Sequence, residues 1–263
     1  MSNKILSLDD INNYNTDGYL VKNNILDQNE LKVAKKGLFR NYCKYNSPKE
    51  ENISENFVDT TFDKQIIDFR KKYPKNFGNF YDTCQTSASI LNLATNIKVR
   101  KIASEVIKCD IDTMSWSGLL FRMDVPTDNR NILDWHQDQN HLPISKNGLS
   151  AVVITIPLQD TSKNMGSVNL VKRSHAYGTI EPIREKSKDI NKSLQLKIPE
   201  KLINKENIIV PELKSSDILV MNMNLFHKSG FNSSNKVRYS LIIRYHSSEN
   251  DSFSTFKRVE LIS

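Results

Sequence analysis

Glycine and proline are scarce, with eight of each in 263 residues, which excludes a linker-rich or low-complexity chain. Cysteine is scarcer still. Cys43, Cys84 and Cys109 are odd in number, widely spaced and without a C-x-x-C pair. That fits a reducing compartment better than a disulfide framework or a structural zinc site. No apolar run approaches the ~20 residues of a membrane-spanning helix. Met1 to Asp10 also lacks the hydrophobic stretch of a signal peptide. A cytoplasmic protein with no membrane segment is therefore expected. Blocks of one charge sign are missing too: Lys+Arg 37 and Asp+Glu 30 are interspersed, as in Arg184-Glu185-Lys186-Ser187-Lys188-Asp189. The net charge of +7 permits an anionic partner without naming one.

What remains is an ordinary globular composition, 38% hydrophobic and 25% charged, long enough to bury a sizeable core. The first part of the chain has helical spacing. Ser7-Leu8-Asp9-Asp10 has the form of a helix start, with the helix running to about Tyr14 and Asp17-Gly18 turning into a strand at Tyr19-Leu20-Val21. Asp27-Gln28-Asn29-Glu30 opens a second helix through Leu31, Ala34, Leu38 and Tyr42. Asn46 to Thr61 is polar and without period, hence a loop. Helical patterns resume over Phe62 to Lys72, Phe80 to Asn92 and Asn96 to Lys108.

Near Ile111 the character changes to short β-type runs: Thr113 to Met123, Asp134 to Asn140, Leu149 to Leu158, Ser167 to Val171, Asn207 to Val210, Asp217 to Asn222 and Val237 to His246. Strands after a helical start predict a mainly β, α+β fold: a double-stranded β-helix (jelly roll, cupin-like) with N-terminal helices packed on one sheet. The expected layout is one domain over 1–263, with 1–110 as helical support and 111–247 as the jelly-roll core. In the last run Tyr239, Leu241, Ile243 and Tyr245 share the face expected under the helices. Arg238, Ser240, Ile242, Arg244 and His246 share the face expected toward the barrel interior. Residues 177–206 interrupt the strands, either as a surface excursion or as a lid over the barrel mouth.

The chemistry-bearing stretch is Trp135-His136-Gln137-Asp138-Gln139. In an extended segment, positions i and i+2 point to one face, so His136 and Asp138 are placed to offer an imidazole nitrogen and a carboxylate oxygen to one metal. About ninety residues later His227 follows at a strand end. Two His and a carboxylate on a β scaffold, with other coordination positions open, form the facial triad of non-haem Fe(II) oxygenases. A bidentate 2-oxo acid and dioxygen fill such open positions. Arg238, on the strand after His227, is placed to bind a distal carboxylate of 2-oxoglutarate with paired hydrogen bonds, and Ser240 on the same face adds a donor.

With these residues the chain resembles the phytanoyl-CoA dioxygenase family of Fe(II)/2-oxoglutarate oxygenases over most of its length. The resemblance lies in Tyr14…Asp17-Gly18-Tyr19-Leu20-Val21, Trp135-His136-Gln137-Asp138, Asn164-Met165-Gly166-Ser167 before Ser174-His175, Ser216-Asp217 before a β run, and His227…Asn232…Arg238. It implies iron on His136, Asp138 and His227, and the 2-oxoglutarate carboxylate on Arg238. Thr155 falls near a family position that helps hold the cosubstrate. Lys172-Arg173 stands where the family has Pro-Gly, which would add positive charge near the site. Asp138 is present where related halogenases carry Ala or Gly, so hydroxylation-type chemistry is implied. No extra module for a bulky acyl-CoA is evident, so the family's name is not carried over as the substrate.

The resulting expectation is a dioxygenase using Fe(II), 2-oxoglutarate and O2 to hydroxylate a small polar or anionic metabolite. Arg122 is a candidate for an anionic substrate or for pairing with a carboxylate, and His141 a candidate at the pocket mouth. His175 reads as structural, and Trp135 as packing beside the motif. Three other readings were weighed. Arg238 to Arg244 has the R-x5-R form of alkylated-base-repair dioxygenases, but no aromatic and basic flap for a flipped base is evident, so nucleic acid is not the expected partner. A non-catalytic metal-binding jelly-roll protein would not need the carboxylate anchor, and a zinc hydrolase would leave Arg238 without a purpose.

Overall fold

The computed structural model describes residues 4–46, 60–141, 150–185 and 195–248. Ser7 caps the first helix, α1 (Leu8–Asp17), in a full capping box with Asp10, and Gly18 ends it at φ 81, the left-handed region that glycine tolerates. Strand β1 (Tyr19–Lys22) follows, then α2 (Gln28–Asn46), α3 (Thr60–Lys72), α4 (Pro74–Gln85), α5 (Ala88–Ala94) and α6 (Ile97–Ile107). The single helix expected over Phe80 to Asn92 is two. Thr86 and Ser87 leave helical geometry between α4 and α5, and Pro74 starts α4 at its first turn, where proline's missing N–H costs nothing. The loop expected over Asn46 to Thr61 falls mostly outside the described residues.

The remaining chain forms β2 (Met114–Asp124), the short helix α7 (Asp138–His141), β3 (Ala151–Pro157), β4 (Asn169–Val171), β5 (Ile183–Glu185), β6 (Gln195–Lys197), β7 (Ile208–Ile209), β8 (Ile218–Asn222), β9 (His227–Lys228) and β10 (Arg238–Ser247). A five-stranded antiparallel sheet has the order β1-β8-β3-β10-β2, and a three-stranded sheet the order β7-β4-β9. The two sheets are not closed into a continuous barrel. Helices lie on one face of the larger sheet and the smaller sheet on the other side.

Two-residue periodicity explains the layering. On β10 the side chains of Tyr239, Leu241, Ile243 and Tyr245 join Leu31, Leu38, Tyr42, Phe62, Ile66 and Phe80 of the helices in the main core, as expected from the alternation. Tyr245 donates its hydroxyl to Ala94 O at 2.5 Å and Tyr239 donates to Asp63 Oδ1 at 3.5 Å, so each buried phenol has a helical partner. On β3, Val152, Ile154 and Ile156 face the helices, while Ala151 and Val153 join Leu219, Met221 and Leu170 between the sheets. At the open edge of β2, Gln85 acts as a surrogate strand: its amide donates to Phe121 O at 2.7 Å and accepts from Phe121 N at 2.9 Å.

Candidate metal and cosubstrate site

The stretch 134–140 does not form the expected strand. His136 makes an isolated bridge to His227, with His136 N donating to His227 O at 2.9 Å and His227 N to His136 O at 3.0 Å. Asp138 already begins α7. The two ligand candidates therefore converge across a strand-to-helix turn rather than along one extended face. Gln137 holds that turn. Its side chain is fully buried, donates to Gly178 O and Asn224 O at 2.7 Å each, and accepts from Ile180 N at 2.8 Å. Trp135 packs with Val171, Ile198 and Phe226, and Lys228 lies 4.9 Å over its ring.

His136, Asp138 and His227 bring one donor atom each within 4.8 Å of one another, all buried. Asp138 Oδ1 lies 3.8 Å from His136 Nε2 and 3.5 Å from His227 Nε2. The ring orientations are set by the backbone. His136 Nδ1 is 2.6 Å from Asp134 O and His227 Nδ1 is 2.9 Å from Leu225 O. A carbonyl only accepts, so each Nδ1 carries a proton and each Nε2 is turned toward Asp138. Burial and the neighbouring His227 hold His136 well below its ordinary pKa, leaving it a neutral imidazole. Burial alone would raise the Asp138 carboxyl, but the Arg244 guanidinium beside it more than offsets this, and the group is held well below the carboxylate range. Two imidazole nitrogens facing one ionised carboxylate form the donor set that a divalent transition metal takes.

The same cavity is lined by Arg122, Thr155, Ser167, Ser229, Arg238, Ser240, Ile242 and Arg244 together with the triad. On β10, then, the polar face opposite the helices does face a cavity. Arg238 pairs with Asp124, which Arg122 also holds through Oδ1 at 2.9 Å. Burial pushes Asp124 up, and the two guanidiniums more than offset this, so its carboxyl sits below the ordinary value. Arg122 thus takes the pairing role of its two expected ones, although it also lines the cavity and donates to Ser229 Oγ at 3.2 Å and Asn131 O at 2.8 Å.

Arg238 Nε and Ser240 Oγ are buried with no partner among the described residues. Such orphans are costly in a folded protein, and a carboxylate in the cavity would satisfy both. Thr155 sits opposite Ile242 in the β3–β10 register and reaches the same cavity. His141 packs edge-on against His136 with ring centroids 5.3 Å apart, and its buried Nε2 has no partner among the described residues.

Three residues are placed differently from expectation or were not foreseen. Lys172 and Arg173 are not among the residues lining the cavity: both pair with Asp17, at 2.9 and 3.4 Å. Arg173 adopts φ 68, so the turn does without the usual glycine. Ser229, two residues past His227, lines the cavity and receives Leu133 N at 3.1 Å; its strand-end position next to a ligand candidate was the available signal. His175 is structural, its Nε2 2.9 Å from Asn15 O and its ring filling the space beside Gly18.

The sequence matches the family model described as phytanoyl-CoA dioxygenase (PhyH) over residues 14–240. No curated protein matches it. Among solved structures it is similar to EctD from S. alaskensis with 2-oxoglutarate and 5-hydroxyectoine, at 14% identity and a TM-score of 0.63, over 95% of this chain and 79% of that one. It is also similar to AviO1 from Streptomyces viridochromogenes Tue57, at 13% identity and a TM-score of 0.61, over 96% of this chain and 100% of that one. A third is the epimerase SnoN in complex with Fe3+, alpha ketoglutarate and nogalamycin RO, at 15% identity and a TM-score of 0.57, over 91% and 82%. At these identities the likeness establishes a shared fold. The family model, spanning most of the sequence, establishes more: the chain belongs to the phytanoyl-CoA dioxygenase family.

Proposed function

We propose that this protein is a non-haem Fe(II)- and 2-oxoglutarate-dependent dioxygenase that hydroxylates a C–H bond of a small polar or anionic metabolite. The observation that carries the reading is one cavity lined both by a metal-type donor set and by an arginine and a serine with unsatisfied buried atoms. His136, Asp138 and His227 are the residues that hold iron. Arg238 and Ser240 hold the distal carboxylate of 2-oxoglutarate, with Thr155 beside it. When bound, iron and 2-oxoglutarate supply oxidative decarboxylation to succinate and CO2, one atom of dioxygen going to succinate and the other into the substrate C–H bond.

The chain's own part is positioning. Asp134 O and Leu225 O fix the two imidazole tautomers, and Gln137 locks the turn that carries the triad. The apolar side chains of Leu120, Leu133, Leu219 and Ile242 keep the cavity wall dry. We read 1–263 as one domain, because the helices and the larger sheet share one core. Within 177–206, the described backbone at Gly178, Ile180 and Ile198 bonds Gln137 and Trp135. We therefore read this excursion as cover for the metal motif; residues 186–194 of it lie outside the described residues.

The test is an anaerobic titration of metal-free protein with Fe(II) and then 2-oxoglutarate. A weak visible charge-transfer band that needs both is expected in wild type and absent from His227→Ala. A wild-type protein that gives no band and retains Zn(II) tightly instead would sink the oxygenase reading.

A further inference from the structure

A second arginine of β10, Arg244, touches the triad itself. Its Nε donates to Asp138 Oδ2 at 2.9 Å, while Oδ1 of the same carboxylate faces the two imidazoles. The fold makes a place for it. The β10–β2 register shifts between Ile243 and Arg244, pairing Ile243 with Leu119 and Arg244 with Ser117. Gly118 is the extra residue, bulged out at φ 69, and its carbonyl lies 3.4 Å from Arg244 Nη1. Bulges of this kind re-aim a side chain beside a site.

Holding Asp138 uses Nε alone. Nη1 makes only the long contact to Gly118, and Nη2 has no acceptor among the described residues, although the side chain is just 12% exposed and lines the cavity. A guanidinium presents five donors in a planar fork, and among the described residues the outer edge of this one meets no acceptor nearer than the Gly118 carbonyl.

The charges lining the cavity point the same way. Arg122 and Arg238 face the single carboxylate of Asp124, which leaves one positive charge, and Arg244 cancels Asp138. A ferrous ion and the 2-oxoglutarate dianion cancel each other. Among the described residues one positive charge remains, on arginine side chains only 8–12% exposed, where an uncompensated charge is costly.

We propose that Arg244 is a specificity-determining residue that receives a carboxylate of the primary substrate on its terminal nitrogens while its Nε stays on Asp138. The substrate is accordingly a monocarboxylic acid, or a molecule with one carboxylate free of compensating positive charge. The carbon oxidised lies close to that group, because the arginine also touches a metal-ligand residue. This rests on the oxygenase reading above.

The experiment uses protein loaded anaerobically with Fe(II) and saturating 2-oxoglutarate, so that the Arg238 end is filled. Butyrate and benzoate are titrated against butyramide and benzamide, reading perturbation of the charge-transfer band. The carboxylates should bind about tenfold or more tightly than their amides, the difference that charge-assisted hydrogen bonding supplies. That preference should vanish in Arg244→Gln and return in part in Arg244→Lys, a pattern that mere loss of structure would not produce. Equal affinity for acids and amides overturns the proposal, as does a failure of every carboxylate to perturb the band, displacement of 2-oxoglutarate by the carboxylates, or a preference that survives in Arg244→Gln. Should both variants lose iron, equal affinity for acids and amides in wild type would still overturn the proposal. Loss of the band in wild type itself would instead defeat the oxygenase reading, so the two failures are distinguishable.

Discussion

The guanidinium of Arg238 rests on the carboxylate of Asp124, and Arg122 holds the other oxygen of that carboxylate. Asp124 ends β2 directly opposite Arg238 in the antiparallel register, so the pairing of two strands places the guanidinium. All three side chains are at least nine-tenths out of solvent. Such a cluster fixes geometry more than it adds stability, and its cost appears when one member is removed.

Asp124→Ala should therefore destabilise the fold by about 3–5 kcal/mol, since two buried guanidiniums lose their counter-charge. Urea unfolding monitored by Trp fluorescence measures it, and a loss below ~1 kcal/mol would contradict the buried-cluster argument. The pH dependence follows in sign. The folded-state pKa of Asp124 is depressed, so its contribution is fully present above the ordinary carboxylate value and is lost as pH falls through the folded value. Asp124→Asn should flatten that acid limb of the stability profile.

Arg238→Gln should weaken 2-oxoglutarate by roughly 30-fold or more while leaving iron affinity within about twofold, because the lost bonds are charge-assisted and lie away from the triad. Arg238→Lys should recover little of it, since a point charge does not reproduce the planar fork. Cosubstrate dependence of the charge-transfer band reads both. A Lys variant equal to wild type would argue for simple charge attraction.

Gln137→Leu should cost about 2–4 kcal/mol by stranding the Gly178 and Asn224 carbonyls and the Ile180 amide. Gln137→Glu should be no better, because a carboxylate cannot donate to two carbonyls. Thermal unfolding with and without Mn(II) is the measurement. Metal-induced stabilisation should also shrink in both variants, since the turn carrying His136 and Asp138 loosens.

Cys84 is fully buried and burial pushes its thiol up to about 12. At pH 8 its thiolate fraction is on the order of one in ten thousand. A maleimide or aromatic disulfide reagent should therefore modify Cys84 only at the rate of global unfolding, readable by peptide mapping after timed quenching. Rapid native labelling at Cys84 would contradict the packing of α4 against the sheet.

How much of this was legible in advance depends on the length scale of the signal. The alternation on β10 announced both its core face and its cavity face, because the two faces bury different chemistries at a two-residue period. The triad was legible because its residue types are few and its order is constrained. Asp138 heading a helix was not, since four residues of α7 are too short to show a period. Nor were β5 and β6, whose three residues each carry no pattern. Which partners Arg122, Arg238 and Arg244 meet is not legible for a different reason. Each depends on strand register, and in the case of Arg244 on a one-residue bulge, which only the partner strand determines.

The reciprocal backbone bonds between His136 and His227 join positions about ninety residues apart and enclose β3, β4 and β8 in a single loop. A metal held by both imidazoles, as proposed above, would clasp that loop a second time at the same point, so that holding the ion and keeping the chain closed would become one equilibrium. Closing so long a loop carries a sizeable entropic cost, which a bound ion helps to offset in proportion to its free concentration. Iron supply would then set the lifetime of the protein as well as its activity. Starved of metal, the chain would open more often at the clasp and be cleared sooner by proteases, linking the enzyme's abundance to the same ion its chemistry requires.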